Sequence, residues 1–562
     1  MSADPGRPVT DRPVTAADRP DSDRPAPDRP APDRPAPDRP APDRSAPGQP
    51  VPNRPGPAAR LDPIGGLAAL RGLLARPLAS YYLLIFSSGL LLMIGLTMVF
   101  SATSIKAYID DGSAFSVLSR QATFAVIGLV AFWICQRLPA ATFRTLGIVV
   151  LGAAVALLLL LNGLLLVSTL AGWPAARVGP VEAELLWLYF GSFQLQPSEL
   201  AKLGLVLWGA DVIARKGAEL GHWRELAIPL FPAVGLLFLL VGYNDLGTML
   251  CILALVVGLL WAAGVPLRIF ATLGAVGLVG IGLLIAAAWQ GAGSGAQDAD
   301  NYRLARLTSF FTPPDQCVDD CYQALQARYA IANGGWFGEG LGSSRLKWGY
   351  LPQAEDDFIF AIVAEELGVV GCVVVLALFA VLAYTALRIA RRVDDPFRRL
   401  AAAAAASWLI SQAVINISGV IGLLPITGIP LPFISAGGSA LVVTLAAIGM
   451  LASFARAEPD AARALNARPP ARWVRLVWAP LPPMPRKRHP AKPRMTGVGP
   501  RPAGTGQPSR STTPDGGGRP AGSAASRSGG RGASGSGGRG ASRSGGQGGS
   551  ATPRVPRRRD GR

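Results

Sequence analysis

FRTLGIVVLGAAVALLLLLNGLLLV, from Phe143 to Val167, decides the class of this chain, with Arg144 as its single charge. A helix crossing a bilayer core roughly 30 Å thick needs about 20 apolar residues, and this stretch supplies them almost without interruption. Runs of the same kind are read near Tyr81–Ser101, Gln121–Leu138, Gln196–Ala214, Ala227–Gly242, Thr248–Val265, Ile269–Trp289, Phe358–Ile389, Ala401–Leu423 and Ala436–Phe454. In hydrocarbon each backbone N–H and C=O needs a partner within its own segment, so apolar runs of this length become helices. The sequence therefore predicts an all-α polytopic membrane protein with about ten transmembrane helices.

Composition and its distribution agree. Half of the 562 residues are hydrophobic and 16% are charged, and the charges gather mainly at the two ends, a membrane pattern. Residues 1–76 repeat Asp-Arg-Pro-Ala-Pro, as in Asp28–Pro32 and Asp33–Pro37. Proline at this density blocks helix and sheet ladders, so a disordered, Pro-rich N-terminal tail is expected. Residues 457–562, rich in Gly, Ser, Arg and Pro toward their end, are expected to form a second disordered tail. The membrane domain is then 77–456. Much of the net charge of +18 comes from the C-terminal tail, through runs such as Arg486-Lys487-Arg488 and Arg557-Arg558-Arg559. Beside a membrane domain such a tail tracks the cytoplasmic face and its anionic lipids. It lacks interleaved aromatics and any fold-like pattern, so no nucleic-acid partner is expected. Two histidines, His222 and His489, and five cysteines without zinc spacing argue against a metal cluster. No cleavable signal peptide is visible.

Short connections carrying Lys and Arg lie inside. With the N-terminus cytoplasmic, the inside loops hold Arg137, Arg144, Arg215, Lys216, Arg224, Arg268, Arg391, Arg392, Arg398 and Arg399, and the outside loops are poorer in them. An even number of spans returns the C-terminus to the cytoplasm. One outside loop, about 290–357, is long and keeps aromatic residues, so it is expected to be ordered. Cys317 and Cys321 lie in it, in an oxidising environment and close enough to bridge if the chain turns. A disulfide between them is expected.

Ionisable groups inside a membrane are costly and mark candidate sites. Glu199 and Lys202 share one helix face and either pair as a clamp or serve a substrate. Asp245 either caps the sixth span or contributes to the same site. Glu365 and Glu366 enter the eighth span from outside, with Glu366 a candidate ligand or a buried structural acid. Asn416 and Ser435 flank the last outer connection. All of these fall in the outer half by this topology. Asp211 is expected to pair with Arg215 and is assigned no function.

At these positions the chain resembles the SEDS family. Gln196-Pro197-Ser198-Glu199-Leu200-Ala201-Lys202 and Asn244-Asp245-Leu246-Gly247-Thr248 are similar to two of its motifs. So are the run from Tyr302-Arg303 through Arg306 to Phe310, Gly340-Leu341-Gly342, Lys347-Trp348-Gly349-Tyr350-Leu351-Pro352, and Asp357-Phe358-Ile359-Phe360-Ala361 followed by Glu365-Glu366-Leu367-Gly368. The stretch from Gly422-Leu423-Leu424-Pro425 through Pro430-Leu431-Pro432-Phe433 and Ser435 to Gly437-Gly438-Ser439 is the most recognisable. The likeness covers about residues 81–456 and is closer to the division-type branch than to the elongation-type branch.

The resemblance implies a peptidoglycan glycosyltransferase of the cytoplasmic membrane, polymerising lipid II at the outer face during cell division. It implies a class B penicillin-binding transpeptidase and other division proteins as partners. The chemistry needs a carboxylate to take the acceptor hydroxyl proton and cations to steady the departing pyrophosphate. Lys202 and Arg306 are available, with Glu199, Asp245, Glu366 and Ser435 as further substrate contacts. No cofactor is required, and a divalent cation, Mg or Mn, is the one addition this chemistry invites. The family's carboxylate follows a Phe-x-x-Pro segment, here Phe310-Phe311-Thr312-Pro313, and strict register places Gln316 there. Asp315, one residue away, is the first candidate for the base, with Asp319 and Asp320 as alternatives. The segment before Gln196 also departs from the family pattern, and Glu355 stands where a histidine is usual. A lipid II flippase and a scaffold without catalysis are the competing readings.

Overall fold

The computed structural model describes residues 74–484, apart from 217–222, 243–244, most of 273–281, 283–321, 349–350, 352–353 and the single residues 174 and 192. The first three helices are α1 (Ala79–Asp111), α2 (Ser116–Cys135) and α3 (Ala140–Ala171). A four-stranded antiparallel meander follows, β1 (Ala176–Val178), β2 (Val181–Glu184), β3 (Trp187–Phe190) and β4 (Phe193–Leu195). Then come α4 (Pro197–Lys216), α5 (Trp223–Gly242), α6 (Leu246–Ala262), α7 (Tyr322–Gly334), α8 (Ile359–Arg392), α9 (Pro396–Val420), α10 (Gly438–Arg456), α11 (Pro459–Ala467) and α12 (Arg472–Val477).

Six of these, α1, α2, α3, α8, α9 and α10, are long and apolar enough to cross a membrane. The stretch 230–242 within α5 and the helix α6 are shorter apolar segments, and α4 carries the buried charges. Nine predicted spans thus coincide with helices among the described residues. The remaining one, Ile269–Trp289, lies mostly outside them. The chain is a membrane protein.

Helix ends follow local chemistry. Gly112 and Gly172 close α1 and α3 with φ of 71° and 63°, each donating its N–H to a carbonyl of the preceding turn. Asp395 caps α9 by accepting from Phe397 N–H, with Pro396 at the first helical position. At the crossing of α3 and α4, a Cβ at Gly147 would stand 2.8 Å from Trp208 N, and one at Gly204 2.7 Å from the Leu151 backbone. The two helices touch backbone to backbone, and any side chain at either glycine would push them apart.

The core lies around α9 and α10, which are buried for most of their length, while α2 and α3 expose much of their apolar surface. Ala401–Ala406 are buried. The alanine stretch packs inward, letting Gly258 of α6 come against Ser407 and Ala403. Phe143, Phe397 and Phe454 make edge contacts at 5.7 and 6.2 Å, and Arg144 lies over the Phe397 ring at 5.0 Å. This end of the bundle gathers the basic residues. Arg144 pairs with Asp395 at 3.1 Å, Arg398 with Asp395 at 3.7 Å and Arg392 with Glu458 at 3.8 Å. Arg215 pairs with Asp211 at 2.6 Å, as expected.

One expectation needs correction. The C-terminal tail does not begin at 457. Helices α11 and α12 follow, and residues to 484 return across the basic end, because Ala461, Ala462 and Ala479 find buried seats there. The connection before Gln196 is a sheet, with Ala176, Ala183 and Leu188 buried against Leu161 of α3. Its alternation of small apolar and polar residues is too short to stand out beside twenty-residue apolar runs.

Candidate functional site

The motifs converge at the end opposite the basic cluster. Pro197 opens α4, so Glu199 lies in the first turn, where a negative charge suits the helix dipole. Lys202 follows at i+3 and donates to Glu199 Oε1 at 2.7 Å. Both side chains are fully buried. Lys202 also donates to Gln412 Oε1 at 2.9 Å and lies 5.5 Å from the Trp408 ring centre. Gln412 is held in turn: Trp408 Nε1 donates to its Oε1 at 2.7 Å, and its Nε2 donates to Pro430 O at 3.0 Å. The charge pair therefore ties α4 to α9 and to the segment following α9. Asp245 caps α6, accepting from Thr248 N at 2.7 Å and Thr248 Oγ1 at 2.6 Å, within the field of Glu199 and Lys202.

Ser435 is a knot rather than a free hydroxyl. Its Oγ accepts from Leu431 N–H at 2.7 Å and donates to Asp356 O at 2.6 Å, while its carbonyl accepts from Gln121 Nε2 at 3.2 Å. Ala436 N–H donates to Glu355 O at 3.0 Å. Asn416 Nδ2 donates to both Asp357 O at 2.9 Å and Ile429 O at 2.7 Å. Phe433, buried beside this knot, adopts φ 69°, a conformation a bulky residue holds only when its surroundings enforce it.

Glu365 and Glu366 hold the end of the large loop. Ser101 Oγ lies 2.7 Å from both carboxylate oxygens of Glu366, and Ser344 N–H reaches Glu366 Oε1 at 3.3 Å. Glu365 accepts from Ser344 Oγ and from Arg345 N–H. Below them α8 breaks at Gly368, with φ 66° and ψ −165°. The freed backbone pairs with the loop: Glu339 N–H to Glu365 O at 2.9 Å, Gly340 N–H to Glu366 O at 3.1 Å and Val369 N–H to Gly335 O at 3.0 Å. A Cβ at Gly368 would stand 2.4 Å from Gly338 N, so glycine is required on both counts.

Around the mouth are charges that the sequence did not single out as a site. Lys106 pairs with Glu355 at 3.1 Å with its own side chain more than half exposed. Asp356, between Glu355 and Asp357, has its carboxyl pushed up to about 8 by burial and by its two acidic neighbours, against the pull of Lys106 and Arg120. Three carboxylates in succession before an apolar helix were the available signal. Arg306, Asp315, Asp319, Asp320, Cys317 and Cys321 lie outside the described residues. Two cavities, one beside Gln412, Pro430 and Ser435 and one beside Asp357, Asn416 and Thr427, each measure about 10 Å³. That is room for a single water and no sugar. Among the described residues no three His, Cys, Asp or Glu side chains gather closely enough to hold a metal ion.

The model of the FtsW/RodA/SpoVE cell cycle protein family matches residues 81–459. The chain belongs to this family. It is similar to the probable peptidoglycan glycosyltransferase FtsW of Mycobacterium tuberculosis, with 40% identity over 451 residues covering 80% of this chain and 81% of that one. It is similar to the stage V sporulation protein E of Bacillus subtilis, with 35% identity over 66% of this chain and 96% of that one. A chain of a solved peptidoglycan synthase complex that coordinates polymerization and crosslinking aligns with a TM-score of 0.49 at 27% identity, covering 66% of this chain and 96% of its own. The family match takes in the Glu199–Lys202 clamp, the Asp245 cap, the Ser435 knot and the Glu366 anchor, and it ends at the first residue of α11.

Proposed function

We propose that this chain is a peptidoglycan glycosyltransferase that polymerises lipid II at the outer face of the cytoplasmic membrane during cell division. The observation that carries the reading is the meeting of the family motifs from five separate segments at one end of the helix bundle, opposite the arginines. With the arginines inside, that end faces the lipid-linked substrate in the outer leaflet. The relatives' activity agrees with this.

In the reaction the acceptor 4-hydroxyl oxygen bonds to the donor anomeric carbon. The bond from that carbon to the pyrophosphate oxygen breaks with its electron pair, and the hydroxyl proton passes to a carboxylate. Asp315 is the proposed base, with Asp319 or Asp320 as alternatives, and Arg306 the proposed partner of the leaving pyrophosphate. Lys202, Asp245, Ser435 and Glu366 are positioning residues, since their polar atoms are engaged within the protein and hold the segments from which the loop departs; Glu199 shares this role through Oε1, while its buried Oε2 has no hydrogen-bond partner among the described residues. A class B penicillin-binding transpeptidase is the proposed partner, with the exposed Val369, Val370, Val373 and Val374 of α8 offering an apolar helix face.

The test is glycan polymerisation by purified protein from lipid II, with and without the transpeptidase. A ladder of glycan strands is expected. Lipid II crossing in proteoliposomes without polymer would overturn the reading in favour of a flippase, and neither activity would leave a scaffold.

A further inference from the structure

The residues after α11 form a strap fixed to the basic end of the bundle. Trp133 Nε1 donates to Val477 O at 2.7 Å, and Arg137 donates to the same carbonyl at 2.8 Å. Arg456 donates to Pro480 O at 2.7 Å, Asn466 Nδ2 to Pro482 O at 3.2 Å, and Trp478 Nε1 to Tyr81 OH. Tyr81 OH donates in turn to Gln136 Oε1 at 3.1 Å. The strap thus joins the ends of α1, α2 and α10 through side chains that grip its carbonyls, and it holds α12 in one place.

Held there, α12 turns apolar side chains outward. Trp473 is 70% exposed and Leu476 72%, and Val477 lies beside them. At 100° per residue these three occupy one face, with Arg472 at its edge and Arg475 beyond. Nothing in the chain covers this face among the described residues. What lies alongside it is the outward strip of α2, where Val126, Val130, Trp133 and Ile134 are exposed and which a bilayer must cover. Trp133, near the end of that strip, is hydrogen-bonded to α12 itself. The same surface therefore continues from the spanning helix onto the strap. Beside it stand Arg137 and the exposed Arg472, with Arg475 half-buried beyond, while Asp460 and Glu458 are already paired with Arg463 and Arg392. Tryptophan, leucine and valine bordered by arginine is the composition of a segment lying in the headgroup region of an anionic leaflet.

The geometry points to α12 as an interfacial anchor that inserts Trp473, Leu476 and Val477 among the acyl chains and binds anionic phospholipid headgroups through Arg472 and Arg475. The assignment of that leaflet to the cytoplasm rests on the orientation proposed above. The anchor itself does not.

The test uses the full-length protein in nanodiscs, its native cysteines replaced, with bimane on Leu476→Cys and, in parallel, on Val477→Cys in case one site impairs folding. Phosphatidylcholine with brominated chains is expected to quench the label and aqueous iodide to be largely excluded. Brominated phosphatidylglycerol at the same mole fraction is expected to quench more, up to about fivefold for each arginine acting at an anionic surface. Arg472→Gln with Arg475→Gln should remove that excess and leave the phosphatidylcholine quenching in place. A label quenched by iodide as fully as free bimane-cysteine, as expected if a protein partner rather than lipid covers this face, would overturn the proposal. Equal quenching by the two lipids would also overturn it. Thiol labelling of the same position from outside intact cells would overturn the orientation alone, since quenching in nanodiscs does not depend on sidedness.

Discussion

Replacing Lys202 by methionine keeps most of the side-chain volume and removes the charge. Glu199 then remains fully buried with no cation, and Gln412 Oε1 keeps only the Trp408 N–H. Removing one partner of a buried ion pair costs about 3–5 kcal/mol, because the other charge stays desolvated and unpaired. No discount for solvent screening applies, as both side chains are fully buried. Lys202→Met is therefore expected to melt well below the wild type in detergent. Glu199→Gln combined with Lys202→Met removes both charges, and such replacements are often close to neutral. The double variant is expected to recover most of the loss, giving a coupling of about 2 kcal/mol or more in a double-mutant cycle. The assay is the melting transition of all four proteins, followed by polymerisation at a temperature where each is folded. A Lys202→Met protein as stable as the wild type would refute the clamp. A folded double variant with wild-type polymerisation would show that the pair acts through stability. The same variant folded but inactive would show that the pair also sets the reacting geometry.

Four further outcomes are expected. Burial raises the Asp356 carboxyl to about 8 against an ordinary value near 4, so the folded state holds a proton that the unfolded chain has released. Stability should therefore fall as pH rises from about 4 to 8 and level off above, and Asp356→Asn should flatten that slope in melting curves taken across the range. Gly368→Ala forces a Cβ into the Gly338 backbone at φ 66° and is expected to cost at least about 2 kcal/mol, read as a lower melting transition. Glu366→Ala should loosen the loop end more than Glu366→Gln, which keeps one acceptor oxygen for Ser101 or Ser344, and faster hydrogen exchange over residues 338–346 would register it. Asp315→Asn should leave membrane insertion intact and lower polymerisation at least about 10²-fold, with near-normal synthesis moving the base to Asp319 or Asp320.

The spans were legible because their signal is long. An apolar run such as Phe143–Val167 admits one structure in lipid, and nine of the expected spans coincide with helices of the described chain. The partnership of Glu199 with Lys202 was legible from the i+3 spacing alone, and Asp245 as a cap from Asp-Leu-Gly-Thr at a helix start. What the spacing did not carry is the third partner. Gln412 and Trp408 sit some two hundred positions later, and nothing local in α9 announces that they close the clamp. The meander was missed because its strands are three or four residues long and its inward residues are small. The strap was missed because its arginines and prolines read like the tail beyond it. Its order comes from Tyr81, Trp133, Arg137 and Arg456, all of which precede it in the chain.

The arrangement at the motif end separates two tasks that the sequence presents together. Most buried acids and hydroxyls there are engaged one by one: Glu199 Oε1 by Lys202, Asp245 by Thr248, Ser435 by Leu431 and Asp356, Glu366 by Ser101 and Ser344, while Gln196 Oε1, Ser198 Oγ, Glu199 Oε2 and Asn416 Oδ1 have no partner among the described residues. A group whose hydrogen-bonding capacity is spent inside the protein is a poor base and a poor ligand for a pyrophosphate. It is well suited to fixing backbone segments that must not move. The same end carries broken helix geometry at Gly368 and an enforced φ at Phe433. Both lie where the loop and the 425–437 segment meet the bundle, and both are conformations that only a rigid surround sustains. The proposed division of labour follows from that. The helix ends supply a fixed frame, and the acids and arginine of the long loop supply the reacting groups. Substitutions in the frame should then reduce activity in step with stability, whereas Asp315→Asn should reduce activity with stability unchanged. Plotting polymerisation against melting transition for both sets of variants tests this directly: one line through all of them would refute the division.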